Sequence, residues 1–205
     1  MAFNTKSLTD FKSKLAGGGA RPNLFEVQLP SFPSSIQEAW KSSDSGEAGM
    51  MQFLCKAAQL PASTVTPVNV PFRGRQLKVA GERVIDPWTV TIINDEDFRL
   101  RTAFERWANV MSKLDDATGV TNPTSYMTDA YVYQLGRGKE KFAEKNKGDR
   151  SSVLRTYRFY DIWPSAVSAI DVNYDTENTI EEFTVEFQVQ WFTVGEKQDY
   201  GPEIR

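Results

Sequence analysis

Hydrophobic and polar residues alternate along residues 179–192 almost without exception. The apolar positions are Phe183, Val185, Phe187, Val189 and Trp191. The polar positions are Glu182, Thr184, Glu186, Gln188 and Gln190. Because successive side chains of a strand point to opposite faces, this pattern predicts one long strand with its apolar row on a core and its polar row in water.

Shorter runs of β-branched and aromatic residues predict further strands at 21–29, 51–60, 84–95, 129–135, 152–163 and 169–174. The first two are expected to pair across the loop that separates them. Pro164 is expected to stop the strand at 152–163. The sequence DTEN at 175–178 predicts a hairpin, which would place Asp171 and Asn173 on the strand beside the polar row.

Residues 61–81 combine many Val and Thr residues with prolines at 61, 67 and 71. Proline cannot donate a ladder hydrogen bond, so this segment is not expected to form a central strand. One interpretation is an extended excursion of edge-like strands that projects from the body. The other is an ordinary long hairpin that lies on its own domain.

One amphipathic helix is predicted over residues 94–116, with Asn94 as its N-cap and acidic residues in its first turn. Its expected core-facing stripe is Leu100, Phe104, Trp107 or Ala108, Met111 and Leu114. A narrower stripe over 5–16 ends at three glycines and predicts a short arm that docks on something else, such as another subunit.

The 205 residues fit a single domain, and the net charge of -3 with a pI near 5.2 argues against tight binding to nucleic acid. The N-terminal segment lacks a signal-peptide pattern, and no apolar run reaches the ~20 residues of a membrane helix. We therefore expect a soluble protein made in the cytoplasm, with no membrane contact.

Histidine is absent, which removes the commonest general base and metal ligand. With no phosphate-binding loop or Cys/His cluster either, we expect no enzyme, no catalytic or metal site and no cofactor. The single Cys55 excludes an intrachain disulfide and is expected to be a buried structural thiol, a reactive thiol being the alternative. The charged stretch 136–150 predicts a solvated loop, the alternative being a basic patch that binds nucleic acid or the acidic surface of a protein partner.

Two other functional classes remain open from the residues alone. A β-barrel that binds a small apolar ligand would need apolar inward faces and no self-assembly. An enzyme with paired carboxylates could use Glu182 and Glu186, which lie about 7 Å apart on one strand face by strand geometry.

Five motifs together resemble the tail tube protein family of T-even-type contractile-tailed bacteriophages. They are ARPNLFEVQLP (20–30), CKAAQLPAS (55–63), KVAGERVIDPWTVTIINDEDF (78–98), YDIWPSAV (160–167) and NTIEEFTVEFQVQWF (178–192). The resemblance runs from about residue 20 to 193, and the loops 31–50 and 136–150 look like additions to the family pattern.

This resemblance implies a mainly β fold, a β-sandwich closing toward a barrel with one flanking α-helix and an extended β-hairpin loop. The fold would be shared with type VI secretion tube proteins. A single domain over 1–205 would carry an N-terminal arm at 1–19, an inter-ring loop at 61–81 and a C-terminal tail at 194–205.

The function that the resemblance implies is structural. Hexameric rings would stack into the inner tail tube of the virion, assembled in the host cytoplasm, and the genome would pass through the lumen without tight binding. The implied partners are further copies of the chain, the contractile sheath, the baseplate, the tail terminator and the tape measure protein. The alternative is the inner tube of a bacterial contractile injection or type VI-like secretion system.

Two groups of site residues follow from the resemblance. The expected lumen-lining residues are Glu182, Thr184, Glu186, Gln188, Gln190, Asp171 and Asn173. The expected inter-ring residues are Val65, Val68, Val70, Phe72, Arg73 and Arg75.

Overall fold

The computed structural model describes residues 8–14, 19–33, 35–36, 51–52, 54–136, 153–175 and 177–195. The predicted charged loop after Gly136, most of the loop at 31–50 and the tail from 196 onward lie outside these residues. So do the ends of the predicted N-terminal arm.

The described chain contains two α-helices and nine strands long enough to label. The helices are α1 (Leu8–Lys14) and α2 (Arg99–Met111). The strands are β1 (Phe25–Gln28), β2 (Cys55–Ala58), β3 (Ser63–Phe72), β4 (Arg75–Ile85), β5 (Trp88–Ile93), β6 (Thr128–Leu135), β7 (Val153–Val167), β8 (Glu182–Gln188) and β9 (Trp191–Gly195).

Seven strands form one antiparallel sheet in the order β1-β6-β7-β8-β5-β2, with β9 also paired to β7. The long strand β7 pairs with different strands along its length. Its first part pairs with β6 and β9, and its last part pairs with β8. The result is two layers joined by β7, with α2 on one flank. The predicted mainly β fold with a flanking helix is confirmed.

The prediction that Pro164 ends its strand is wrong. Pairing of β7 with β6 ends at Ile162, so Pro164 lies where β7 has only β8 as a neighbour. A register shift between Pro164 and Ala166 accommodates the proline. A proline in such a bulge needs no amide donor, and the strand continues to Val167.

The core is aromatic and lies between the two layers and α2. Leu100, Phe104 and Trp107 of the helix are fully buried, as predicted, whereas Met111 is half-buried at the edge of the core. The prediction that Leu114 faces the core is wrong, because the helix ends at Met111 and Leu114 is 98% exposed beyond it. Phe104 lies 5.8 Å and Trp107 6.2 Å, centroid to centroid, from the ring of Phe187. These contacts fasten α2 to β8, so the helix stabilises the strand that carries the polar row.

The start of α2 differs from the prediction. The helix begins at Arg99, and Phe98 precedes it in a left-handed conformation with a φ of 53°. The Asp95 carboxylate accepts a hydrogen bond from the Arg99 N–H at 3.2 Å. Asn94 is not the cap, because its backbone and side-chain N–H groups donate to Glu181 at 2.9 and 3.0 Å and so extend the pairing of β5 with β8.

Several strand boundaries and pairings also differ. The predicted strand at 51–60 is shortened to Cys55–Ala58, because residues 51, 52 and 54 are helical. β1 pairs with β6 and β2 with β5, so the predicted pairing of these two strands with each other is wrong. The predicted strand at 84–95 is interrupted at 86–87, and residues 169–174 form no strand.

Candidate assembly surfaces

The first candidate surface is the side of β8 that faces away from the core. Phe183, Val185 and Phe187 are buried, while the intervening Thr184 and Glu186 remain partly exposed on the opposite side. Glu182 and Gln188 continue this outer row at its two ends. The structure therefore keeps four of the predicted lumen residues on one face of a strand whose reverse side is anchored in the core.

Strand β5 widens this surface, which we call the polar face. Thr89 lies opposite Glu186 and Thr91 opposite Thr184 in the antiparallel register, and directly opposed residues share a side of a sheet. These two threonines are not among the predicted lumen residues. The signal was present, since they alternate with buried residues as the polar row of β8 does.

The polar face also contains a basic residue that sequence analysis missed. Lys56 of β2 forms an ion pair with Glu182, with Nζ and Oε1 2.5 Å apart. Both side chains are partly exposed, and such a pair contributes little stability because water screens it. Its effect is on charge, since it neutralises one of the two carboxylates of the row and leaves Glu186 as the acidic group.

The remaining predicted lumen residues do not join the polar face. Asp171 and Asn173 lie in an exposed loop, where the Asn173 side chain accepts a hydrogen bond from the Asp175 N–H at 2.9 Å. The strands that flank β8 are β5 and β7, so no strand at 169–174 lies beside it. Gln190 falls in the bend between β8 and β9.

The alternation of the predicted strand at 179–192 changes phase at that bend. Trp191, expected in the core, is 47% exposed, whereas Phe192 packs against the core. The reason is that β9 leaves β8 and pairs with the first part of β7, with Trp191 opposite Tyr160 and Phe192 opposite Phe159. The half-buried Val189 lies in the bend itself.

The second candidate surface is the hairpin of β3 and β4, which forms a two-stranded sheet separate from the main one. Every residue of β3 is exposed, as is most of β4. The structure thus places residues 61–81 in a projecting hairpin that continues to Ile85. In the described part of the chain, its strands pair only with each other.

The two sides of this hairpin differ in chemistry. Val68 lies opposite Val79 and Val70 opposite Leu77, and the exposed ring of Phe72 continues the same side at the tip. By strand alternation Val65 belongs to the other side, with Pro67, Asn69, Lys78 and Arg83. The predicted inter-ring valines therefore do not share one face, and Leu77 and Val79 join those that do.

The tip of the hairpin is tight and basic. Arg73 and Gly74 both have positive φ angles, 44° and 79°, as the two central residues of a type I′ turn require. The Arg73 guanidinium lies 5.4 Å from the centroid of the Phe72 ring. Residues 63–85 hold four basic side chains and one acidic one, a net charge of +3 in a chain whose net charge is -3.

The single cysteine lies at the edge of the core. Burial raises the pKa of Cys55 to about 12, although its thiol donates a weak hydrogen bond to the Ala57 carbonyl. A thiol that stays protonated is a poor nucleophile, so the geometry favours the structural thiol over the reactive one. The described residues contain no cluster of His, Cys, Asp and Glu that could hold a metal ion.

The sequence model of the family described as phage tail tube protein matches residues 20–194. The chain belongs to the phage tail tube protein family. A tail tube protein is a structural component of the bacteriophage virion. No helix in the described part of this tail tube protein is long and apolar enough to cross a membrane.

Relatives and solved structures agree with this assignment. The tail tube protein gp19 of Enterobacteria phage T4 is 28% identical over 177 residues, which cover 86% of this chain and 93% of the relative. The tail tube protein of Serratia phage KSP90 is 20% identical over 184 residues, 89% of this chain and 93% of the relative.

Two solved structures show the same fold at low identity. One belongs to the cap that terminates the tube of the anti-feeding prophage, with a TM-score of 0.56, 12% identity and coverage of 87% of this chain and 91% of that one. The other belongs to a sheath/tube terminator of an extracellular injection system, with a TM-score of 0.53, 9% identity and coverage of 86% and 96%. The family match and the phage relatives favour the phage tail over the injection-system alternative.

Proposed function

We propose that this tail tube protein forms six-membered rings that stack into the inner tube of a contractile tail, with the polar face lining the lumen. The observation that carries the proposal is the polar row of β8, in the middle of a sheet and fixed from behind by Phe183, Val185 and Phe187. Such a wall presents polar side chains at positions set by a packed core.

The chemistry of the polar face suits a passage for DNA. Thr89, Thr91, Thr184 and Gln188 offer hydration without charge, and Glu186 adds mild repulsion of phosphates. A basic wall would release counterions at each phosphate contact and hold the genome back. With Lys56 paired to Glu182, the face has no unpaired cation among the residues named here.

The hairpin is proposed to contact the next ring. It leaves an apolar side of Val68, Val70, Phe72, Leu77 and Val79 exposed in the single subunit, and an apolar patch of this kind marks an interaction surface. Further proposed partners are the sheath, the baseplate, the tail terminator and the tape measure protein. The role is structural throughout, without a catalytic step or a cofactor.

Negative-stain microscopy of the purified protein tests the assembly. Rings or tubes of uniform diameter are expected. A protein that stays monomeric at high concentration, and that antibody labelling does not find in the tail tube of its virion, would overturn the proposal.

The orientation of the polar face is tested with lysine substitutions. Thr184→Lys and Gln188→Lys should leave assembly intact but make tubes retain fluorescent double-stranded DNA at low salt, and release it as salt rises. The control is Thr193→Lys, an exposed threonine on β9 outside the polar face. Equal DNA retention by all three variants, or by none of them, would show that this face does not line the lumen.

A further inference from the structure

The two ends of the central sheet carry different surfaces. β5 and β8 run antiparallel, with Trp88 opposite Phe187 at one end and Ile93 opposite Glu182 at the other. The hairpin joins the sheet at the Trp88 end, because β4 finishes at Ile85 just before β5 begins. It therefore projects from the end of the sheet that is remote from the start of β8.

The opposite end of the sheet carries the loop at 169–181, which leads directly into Glu182. The residues that follow β5 lie beside it, because Asn94 donates two hydrogen bonds to Glu181. We call the described residues of 169–181, together with Asp95, Glu96 and Asp97, the acidic end. The hairpin and the acidic end are thus separated by the length of the β5 and β8 strands.

The acidic end combines negative charge with exposed apolar side chains. The loop has four carboxylates and no lysine or arginine, its acidic residues being Asp171, Asp175, Glu177 and Glu181. Three large apolar side chains are almost entirely in water, Val172 at 81% exposure, Ile180 at 71% and Tyr174 fully exposed. The cations that border this end in the described residues are paired with carboxylates, Arg99 with Asp97, Lys56 with Glu182 and Arg101 with Glu105.

The hairpin has the complementary character. It carries a net charge of +3, and its apolar side ends in Phe72, which is 66% exposed. Each surface thus exposes large apolar groups beside charges of one sign, and the signs are opposite. The hairpin of a subunit leaves its sheet at the end remote from the acidic end of that subunit.

We propose that the hairpin of one subunit docks on the acidic end of a second copy of this chain, head to tail. This inference rests on the proposed stacking of rings and names the surface that receives the hairpin. Burial of the apolar side of the hairpin against Val172, Tyr174 and Ile180 supplies affinity. Opposite charge fixes the orientation and disfavours contacts between two hairpins or two acidic ends. A head-to-tail interface that does not close produces an open stack.

Site-directed cross-linking tests the docking. Two single-cysteine proteins, Phe72→Cys and Tyr174→Cys, are prepared in a Cys55→Ser background, mixed during assembly and oxidised. A disulfide-linked dimer that contains one copy of each is expected. The control replaces the second partner by Leu114→Cys, since Leu114 is 98% exposed and lies in neither surface. Cross-linking to position 114 as efficient as to position 174 would overturn the docking.

A charge exchange gives an independent test. Arg75→Glu with Lys78→Glu, and separately Asp175→Lys with Glu177→Lys, should each reduce tube yield at least tenfold at moderate salt. The hairpin variant changes the net charge of residues 63–85 from +3 to -1, and the loop variant changes that of residues 169–181 from -4 to 0. The two variants mixed together, and one chain with all four changes, should therefore each yield more tubes than the hairpin variant alone, because the altered hairpin then meets less negative charge. No gain over the hairpin variant, with all proteins folded by circular dichroism, would contradict the docking.

The outcomes separate this inference from the proposed function. Wild-type tubes without the cross-link between positions 72 and 174 would overturn the docking and leave the proposed stacking in place. Absence of any wild-type tube, in the virion or in purified protein, would overturn the stacking itself.

Discussion

The indole ring of Trp191 stacks on the phenol ring of Tyr160, with centroids 3.7 Å apart and planes within 2° of each other. On the same tyrosine, the Arg158 guanidinium lies 4.3 Å from the ring centroid. Trp191 is therefore held to β7 although about half of its surface meets water. This contact fastens β9 to the sheet at the point where the chain leaves β8.

Trp191→Ala should lower the free energy of unfolding of the unassembled subunit by about 1–2 kcal/mol, since an aromatic pair adds to the burial of its own area. Urea-induced unfolding would measure the change. Tyr174→Ala is the control, because Tyr174 is fully exposed and makes no comparable contact. An equal loss in both variants would show that the stacking is not the cause.

Leu100 and Leu114 form a matched pair of leucines that tests how α2 packs against the core. Leu100 of α2 is fully buried and Leu114 is 98% exposed. Leu100→Ala should cost about 2–5 kcal/mol through lost burial and a residual cavity, and Leu114→Ala less than about 0.5 kcal/mol. The same unfolding experiment measures both, and similar values for the two would contradict the packing described for α2.

Gly81 lies at the irregularity of the hairpin, where the register shifts between Val65 and Pro67. A Cβ atom at this position would lie 2.5 Å from the Thr66 carbonyl oxygen, on the opposite strand. Gly81→Ala should therefore distort the hairpin and leave the main sheet intact. Limited proteolysis should cut the variant within 63–85 faster than it cuts the wild type. The unfolding midpoint of the main sheet in urea should not change.

The control for this change is Gly74→Asn at the hairpin tip. A side chain there meets open space, and asparagine tolerates the positive φ of a type I′ turn. Its proteolysis should match that of the wild type. Rapid cleavage of Gly74→Asn together with slow cleavage of Gly81→Ala would reverse the expected order and reject the steric explanation.

Cys55 predicts a dependence of stability on alkaline pH. Burial raises its pKa from 9.0 to about 12, so the unfolded chain ionises first as pH rises. The contribution of the thiol is fully present below pH 9 and is lost progressively toward pH 12. Cys55→Ser should therefore lose less unfolding free energy than the wild type between pH 9 and pH 11. The same loss of unfolding free energy in both proteins would mean that groups other than Cys55 cause it.

Thiol labelling checks the same burial at neutral pH. The folded wild type should react with a thiol reagent at least tenfold more slowly than the urea-unfolded chain. A thiol placed at the exposed position 174, in the Cys55→Ser background, should react rapidly in the folded protein. Fast labelling of native Cys55 would show that the site opens to solvent.

Predictions from local pattern were accurate for an element whose buried side chains all face the same core. The alternation of Phe183, Val185 and Phe187 located β8 and its two faces, because every second side chain meets the same core. The spacing of Leu100, Phe104 and Trp107 located α2 for the same reason. Local geometry gave the buried face of each element but not its ends, since α2 stops at Met111 and leaves the predicted core residue Leu114 exposed.

Predictions failed where a contact distant in sequence decides. Pro164 was expected to stop a strand, but β7 passes from one set of neighbours to another there and needs no donor. Asn94 looked like an N-cap, but its donors are taken by Glu181. The phase change at Trp191 has the same origin, because pairing with β7 rather than continuation of β8 decides which side of β9 faces the core.

The sequence by itself determined that this protein is a mainly β domain of the tail tube family, with a polar row on a strand backed by aromatic residues. Periodicity encodes the faces of an element, and the family motifs are local stretches of sequence. Only the tertiary structure decided which strands are neighbours, that Thr89, Thr91 and Lys56 share the polar face, and that the basic hairpin and the acidic end lie at opposite ends of one sheet. Strand pairing joins residues far apart in the chain, so these relationships depend on long-range contacts that no local pattern contains.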